Sequence, residues 1–457
     1  MMEKILSLAA RVGDSAEVFH TELAETEIIF EDSTLTGINS THQRGYSLRL
    51  RKGDRLGFSY TKNPAERFDL VKKAETFLYK GVMAFFTFPK QHGPVELFSF
   101  DPLIEELSVE RVIKELKRVC AIISGSVQGK GQCNSAACFG TKLARVINTN
   151  GLDVSQLSSF YKVTCQILFP NSHESLRHNS SDICFSMITE SRLLDLGRIY
   201  KAALPIVDIK EREMDVIFSP HAMHALMWRL QAGASAASLY EGVSRLKGMT
   251  GDKITSDKIT ILDDPGVVGR PDSRWFDDEG VPTSKLELIK KGVLCSFFTN
   301  LDYASKTGLE PSGHGYRNGM WGGDPISLQP VPTLSHCSIL PGDKSLDEMI
   351  ADIRRGVIIM GVLGAHSGNI PNGDFSLGLN PGLYIEGGKM LGRLKNKMFS
   401  GNVYNLLNNV SSIENKLYES DYGLYPHVCF DCPADPVPAL PRQSRFGQGV
   451  DGKSFFR

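Results

Sequence analysis

The chain of 457 residues has no excess charge of either sign: 51 Lys and Arg stand against 52 Asp and Glu. So close a balance gives no support for wrapping nucleic acid or lying on anionic lipid, and direct nucleic-acid binding is not expected. No apolar run approaches the roughly 18 to 20 residues that a membrane helix needs. The longest candidates, such as 357–363, are short and broken by glycine. The amphipathic start from Met1 to Arg11 contains Glu3 and Lys4 and lacks the apolar stretch of a secretory signal. Cysteines are few for the length. The nine are scattered and odd in number, which suits a reducing compartment rather than a disulfide scaffold, so a cytoplasmic location is expected. No His-Glu-x-x-His and no G-x-S-x-G occurs, which removes the short signatures of a helical zinc site and of a hydrolase nucleophile turn.

What remains is ordinary globular composition, 41% apolar and 23% charged. Periodicity predicts helices at Leu6–Val12 and Phe68–Tyr79, and one long helix over Leu107–Ile123 with Val109, Ile113, Leu116 and Cys120 on its apolar face. Strands are expected at Thr26–Phe30, Gly45–Leu50, Leu143–Asn148, Phe160–Phe169 and Ile183–Met187. Hairpin turns fall at Lys52-Gly53-Asp54 and Asn150-Gly151. Asp215–Phe218 reads as a short strand. Ser219-Pro220 then opens a helix, serine as cap and proline at the first position, which the Ala-rich run carries towards Tyr240. After Lys247 the segments are short, β-branched and separated by Gly, Pro and Asp. The expected fold is α+β: a mixed N-terminal α/β domain at 1–200, a connector at 201–214, a β-rich, largely antiparallel C-terminal domain at 215–420, and a C-terminal extension at 421–457.

Several clusters could carry chemistry. His221 and His224 share a helix face, but no third ligand or carboxylate follows at helical spacing. Trp228 and Arg229 occupy the next turn, so a surface pair is favoured over a metal site. Cys429-Phe430-Asp431-Cys432 is a single CxxC with His427 nearby and no second ligand pair. The acidic turn Phe276-Asp277-Asp278-Glu279-Gly280-Val281-Pro282 lacks calcium-loop spacing and reads first as a rigid connection into Leu286–Lys290. Gly313–Gly319 offers His314, Tyr316 and Arg317, able either to line a substrate channel or to sit on an exposed loop. It lacks the ending of a phosphate-binding loop. Gly361–Gly388 gathers glycine wherever polar residues cluster, as a cleft wall requires. His366, Asn369, Asp374 and Glu386 are its candidate peptide-cleft residues. No catalytic residue and no metal ligand is assigned.

Four ordered segments then carry a resemblance: Asp278-Glu279-Gly280-Val281-Pro282-Thr283, Asp352-Ile353-Arg354-Arg355-Gly356-Val357, Gly373-Asp374-Phe375-Ser376 and Gly382-Leu383-Tyr384-Ile385-Glu386-Gly387-Gly388. Weaker support comes from Gly45-x-x-x-Arg49 and Arg55-Leu56-Gly57-Phe58. From about residue 16 to 420 the chain resembles the TldD/PmbA family, and specifically its PmbA (TldE) branch. The resemblance implies a two-domain α+β protein and a metalloprotease assembled from two branches that cleaves short or unfolded peptides in a closed cavity. It places zinc on a TldD-like partner and no cofactor in this chain. The other branch carries His-Glu-x-x-x-His on the helix opening the second domain. Those positions fall here on Trp228, Arg229 and near Gly233. Gly387 stands where the family has asparagine, and the tail beyond Leu417 differs. A heterodimer with a TldD-like subunit is therefore expected, with a homodimer, an independent hydrolase using His314, His366 and Glu386, or a non-catalytic binding protein as alternatives. Older descriptions of the family as modulators of DNA gyrase find no physical support in the balanced charge.

Overall fold

Seven strands build the first part of the chain: β1 (Ser15–Glu31), β2 (Thr34–Lys52), β3 (Arg55–Thr61), β4 (Val82–Met83), β5 (Gln132–Asn148), β6 (Asp153–Leu168) and β7 (Ser175–Asp182). They form one antiparallel sheet in the order β4-β3-β2-β1-β5-β6-β7. The computed structural model describes residues 1–209, 214–319, 322–420 and 422–431. The expected strands are pieces of these longer ones. Their middles, such as 39–43, are polar on both faces, which hides the alternation that marks a half-buried strand. The two expected hairpins are present, with Gly53 and Gly151 in left-handed turns at φ 58° and 86°. The strand expected at Ile183–Met187 does not form. β7 ends at Asp182, whose side chain turns back to accept from the Ile183 N–H at 2.8 Å.

Four helices cover one face of this sheet: α1 (Met2–Ala9), α2 (Arg67–Leu78), α3 (Val109–Ser126) and α4 (Glu190–Ala203). α1 lies earlier than the Leu6–Val12 pattern suggested, because the chain must turn at Gly13, where a Cβ would meet Leu50 at 2.4 Å. Ala16 and Val18 pack with α1 and α2, while Ile28 and Phe30 pack under α3. The opposite face presents Glu17 and Phe19 to the second part of the chain.

That second part opens with β8 (Ile206–Val207), β9 (Asp215–Phe218) and α5 (Pro220–Ala234). A seven-stranded sheet runs 410–413, 428–430, β9, 355–359, 382–386, 389–394, β8. A six-stranded sheet, a three-stranded sheet and a two-stranded ribbon complete it. Antiparallel pairs dominate. The parallel ones are β9 with 355–359, β8 with 389–394, and 337–339 with 423–425. The seven-stranded sheet is buried on both faces. Val216, Phe218, Val357 and Ile359 face α5, whereas Ile217, Ile358, Leu383 and Ile385 face the layer of α3 and α4. One apolar cluster thus spans both parts of the chain.

The C-terminal extension expected from residue 421 begins too early. Gly423–Tyr425 and Val428–Phe430 are sheet strands, and Phe430 and Tyr425 are fully buried. The Pro-rich stretch that suggested a tail starts only beyond them. Cys429 is buried in its strand, with its thiol pushed up to about 11 by that burial. Cys432 lies outside the described residues.

Candidate functional site

The sequence-predicted residues fall in three places. The first is a buried charge network where the two parts of the chain meet. Arg49 of β2 donates through Nε and Nη2 to both carboxylate oxygens of Glu17, at 2.9 and 2.5 Å. Its Nη1 donates to Glu279 at 2.6 Å across 230 residues of sequence. Arg317 completes the square through Glu17 at 3.3 Å and the Leu328 carbonyl at 2.7 Å. Two segments that carry the family resemblance, 45–49 and 278–283, therefore touch directly. Gly45 lets Ile326 pack against the same strand, since a Cβ there would lie 2.3 Å from its side chain.

The acidic turn is satisfied mostly by backbone. Asp277 accepts from the N–H groups of Glu279, Val281 and Gly315 at 2.8 to 3.0 Å. Asp278 accepts from Arg317 N–H at 2.7 Å and pairs with Arg274. Glu279 accepts from Leu301 N–H at 2.7 Å. Burial drives the Asp277 carboxyl well up, with Glu279 adding to it, while burial lowers Arg317 to about 10 against the pull of Glu17. For Arg49, burial opposes the charge but Glu17 and Glu279 outweigh it, so its pKa rises. Such a network holds two surfaces together by charges that cannot be left unpaired. His314 belongs to the same region. It is fully buried, with Nδ1 at 2.8 Å from the Ser312 carbonyl and Nε2 at 3.2 Å from Asp263. The Tyr316 ring lies under the Arg274 guanidinium at 5.9 Å.

The second place is helix α5 and the loop facing it. Ser219 caps the helix by accepting from Ala222 N–H at 3.3 Å, with Pro220 in the first turn. The helix ends at Ser235, which caps a separate short helix, Ala236–Tyr240, so the Ala-rich run continues in two pieces. His221, His224 and Trp228 lie on its less buried face, and His224 stacks on Tyr422 at 5.1 Å. Arg229 is fully buried. It donates to the carbonyls of Ala225, Ser367 and Asp374 at 2.6, 2.5 and 2.7 Å. One guanidinium thus staples the 361–374 loop to the helix. Gly364, Gly368 and Gly373 give that loop its left-handed turns, at φ 72°, 101° and 90°. His366 and Asn369 are exposed on it. Asp374 accepts from Asn402 and Asn372 at 2.8 and 2.7 Å, which holds its carboxyl below the usual range.

Tyr404 fills the remaining space. A Cβ at Gly233 would lie 2.1 Å from its hydroxyl, and one at Gly373 would lie 2.7 Å from its ring. Nothing in the sequence of 403–408 signals this role. The donors that a helical zinc site needs do not fit here: an indole, a cation and a glycine stand at 228, 229 and 233, and a tyrosine ring crowds the last. Among the described residues, no group of three or more His, Cys, Asp or Glu side chains is placed to hold a metal ion.

The third place is Glu386, exposed at a hairpin and 3.3 Å from Arg355. Arg355 begins the strand whose far end, Ile359, meets the start of α5 through Phe218. Glu386 and the 361–374 loop therefore lie at opposite ends of that strand. Gly387 follows it at φ 56° with open space around it. Asparagine is among the few other residues that tolerate this conformation, which accounts for the exchange with the family pattern.

A mixed antiparallel domain joined by a buried charge network to a β-rich domain, with a helix opening the second part, defines a recognisable class. The sequence matches the PmbA/TldA metallopeptidase C-terminal domain over residues 211–433 and PmbA/TldA metallopeptidase domain 1 over residues 16–76. The chain belongs to the PmbA/TldD family. It is 25% identical over 416 residues to the uncharacterized protein MJ0231 of Methanocaldococcus jannaschii, covering 89% of this chain and 92% of that one. It is 27% identical over 416 residues to a metalloprotease of Methanothermobacter thermautotrophicus, covering 85% of each. The fold is shared with TldE from Thermococcus kodakarensis at a TM-score of 0.84 and 23% identity, over 95% of this chain and 99% of that one.

Proposed function

We propose that this chain is the subunit without a metal site in a two-subunit metalloprotease that processes short or unfolded peptides, its zinc carried by a TldD-like partner. The observation that carries the reading is the substitution of ligand chemistry on α5. Arg229 and Gly233 stand where a carboxylate and an imidazole would be needed, and Arg229 has the different task of holding the 361–374 loop. That loop, with His366, Asn369 and Asp374, is the candidate peptide wall.

Extended peptide would be received by strand addition. Residues 34–44 of β2 pair with β1 on one side, while β3 joins β2 only from Tyr46 onward, so backbone groups along that edge are available. The names of relatives, a metalloprotease and a TldE, agree with the reading. Among the described residues, no helix is long and apolar enough to cross a membrane.

The test is peptidase activity of the purified chain alone, of a TldD-like subunit from the same cell alone, and of the two mixed. Activity that appears or rises strongly on mixing supports the reading. Metal-dependent cleavage by this chain alone, or partner activity indifferent to its addition, contradicts it.

A further inference from the structure

Beyond Glu17 and Phe19, the same face of the N-terminal sheet opens into a cleft of about 260 Å³. Leu23 and Phe160 give it an apolar floor, and Asp272 with Asp324-Pro325 overhangs it from the second part of the chain. The register explains the opening. Leu23 lies opposite Lys142, and Cys138 opposite Lys162. Between these rows Glu25 faces Gly140, which faces Phe160 and contributes no side chain.

The polar groups around this space are underused. Among the described residues Glu25 accepts only from the Cys138 thiol at 3.5 Å, a weak donor. Lys142 and Lys162 share one carboxylate, Asp272, at 3.3 and 3.1 Å, which leaves a net positive charge and most of their N–H donors unspent. Asp272 holds that position in a left-handed conformation, φ 65°, uncommon for a residue with a side chain. The bonds Ser273 Oγ to Val267 O at 2.6 Å and Arg274 N to Pro265 O at 2.8 Å fix its loop. On the rim, the side chain of Gln43, opposite Leu23 in the register, makes no hydrogen bond among the described residues.

We propose that this cleft binds a short zwitterionic peptide of about two residues, the span of an extended dipeptide being roughly 7 Å. The α-ammonium group meets Glu25 and the α-carboxylate meets Lys142. One apolar side chain lies on Leu23 and Phe160. Glu25 and Lys142 sit diagonally on neighbouring strands, a Cα separation of about 8 Å given the strand spacing and rise. That matches the ligand's two charged ends. An amine alone or a carboxylate alone would leave one pole of the cleft unpaired. The site stands on this chain alone and makes no use of α5. Its test reads binding rather than cleavage, so it and the proposed pairing with a zinc subunit can fail separately.

The experiment is calorimetric titration of the full-length chain with Ala-Leu, N-acetyl-Ala-Leu and Ala-Leu amide, repeated with E25Q and K142Q. Both substitutions remove charges from accessible side chains outside the core, and circular dichroism confirms that each variant folds. Saturable one-site binding of Ala-Leu is expected. Acetylation and E25Q should each weaken it by about tenfold or more, the effect of one lost charge-assisted contact. Amidation and K142Q should weaken it in the same direction. Absence of saturable binding to the folded wild-type chain, or binding that acetylation and E25Q leave unchanged, would overturn the proposal.

Discussion

The turn at 276–282 and the loop at 361–374 both set glycine beside acid, Glu279-Gly280 in one and Gly373-Asp374 in the other, and differ in how they are held. The turn is buried, and its three carboxylates are met by the guanidinium groups of Arg49 and Arg274 and by backbone N–H groups from three separate segments. The loop is exposed on its outer side and is tied to the helix behind it by a single guanidinium. The teaching is that acid and glycine together mark a place where backbone must come close. Only the surroundings decide whether it is a joint or a wall. In this chain the joint fixes the two parts relative to one another, and the wall is left open on one side.

The comparison is broken most severely at Arg49. R49M leaves buried Glu279 without a cation and Glu17 with Arg317 alone, and is expected to cost about 3–5 kcal/mol, read from urea denaturation. Arg229 comes next. R229M removes charged donors from three carbonyls and should cost about 2–4 kcal/mol. Hydrogen exchange should speed up across 364–376 while 276–281 stays protected, which separates wall from joint. S219A, which removes the cap that sets the start of α5, is expected to cost about 1 kcal/mol in thermal or urea unfolding. The smallest effect belongs to G387N. Open space and a left-handed backbone should keep the change within about 0.5 kcal/mol by the same assay.

Local chemistry made some of this legible in the sequence and left the rest dark. The start of α5 was readable because Ser219 and Pro220 are a cap and a first-turn residue whatever surrounds them. The long helix α3 was readable from its apolar face, and β9 emerged with the boundaries expected. The strands β1, β2 and β5 were read only in part, because a strand with two polar faces has no period to detect. The last strand, Val428–Phe430, was hidden by the Pro-rich sequence after it, although its centre packs against β9. The turn at 276–282 was readable as a rigid connection, but its link to Arg49 was not, since no local pattern joins residues 230 apart. Tyr404 is a similar case. Its importance lies in the absence of side chains at Gly233 and Gly373, which only the folded chain brings beside it.

The most direct test of the central claim is the zinc content of the purified full-length chain, measured beside that of W228H/R229E/G233H. The account predicts substoichiometric zinc in both. The wild type lacks the ligand types, and the variant's new imidazole at 233 must compete with the Tyr404 hydroxyl for the same space. One zinc bound per wild-type chain would contradict it.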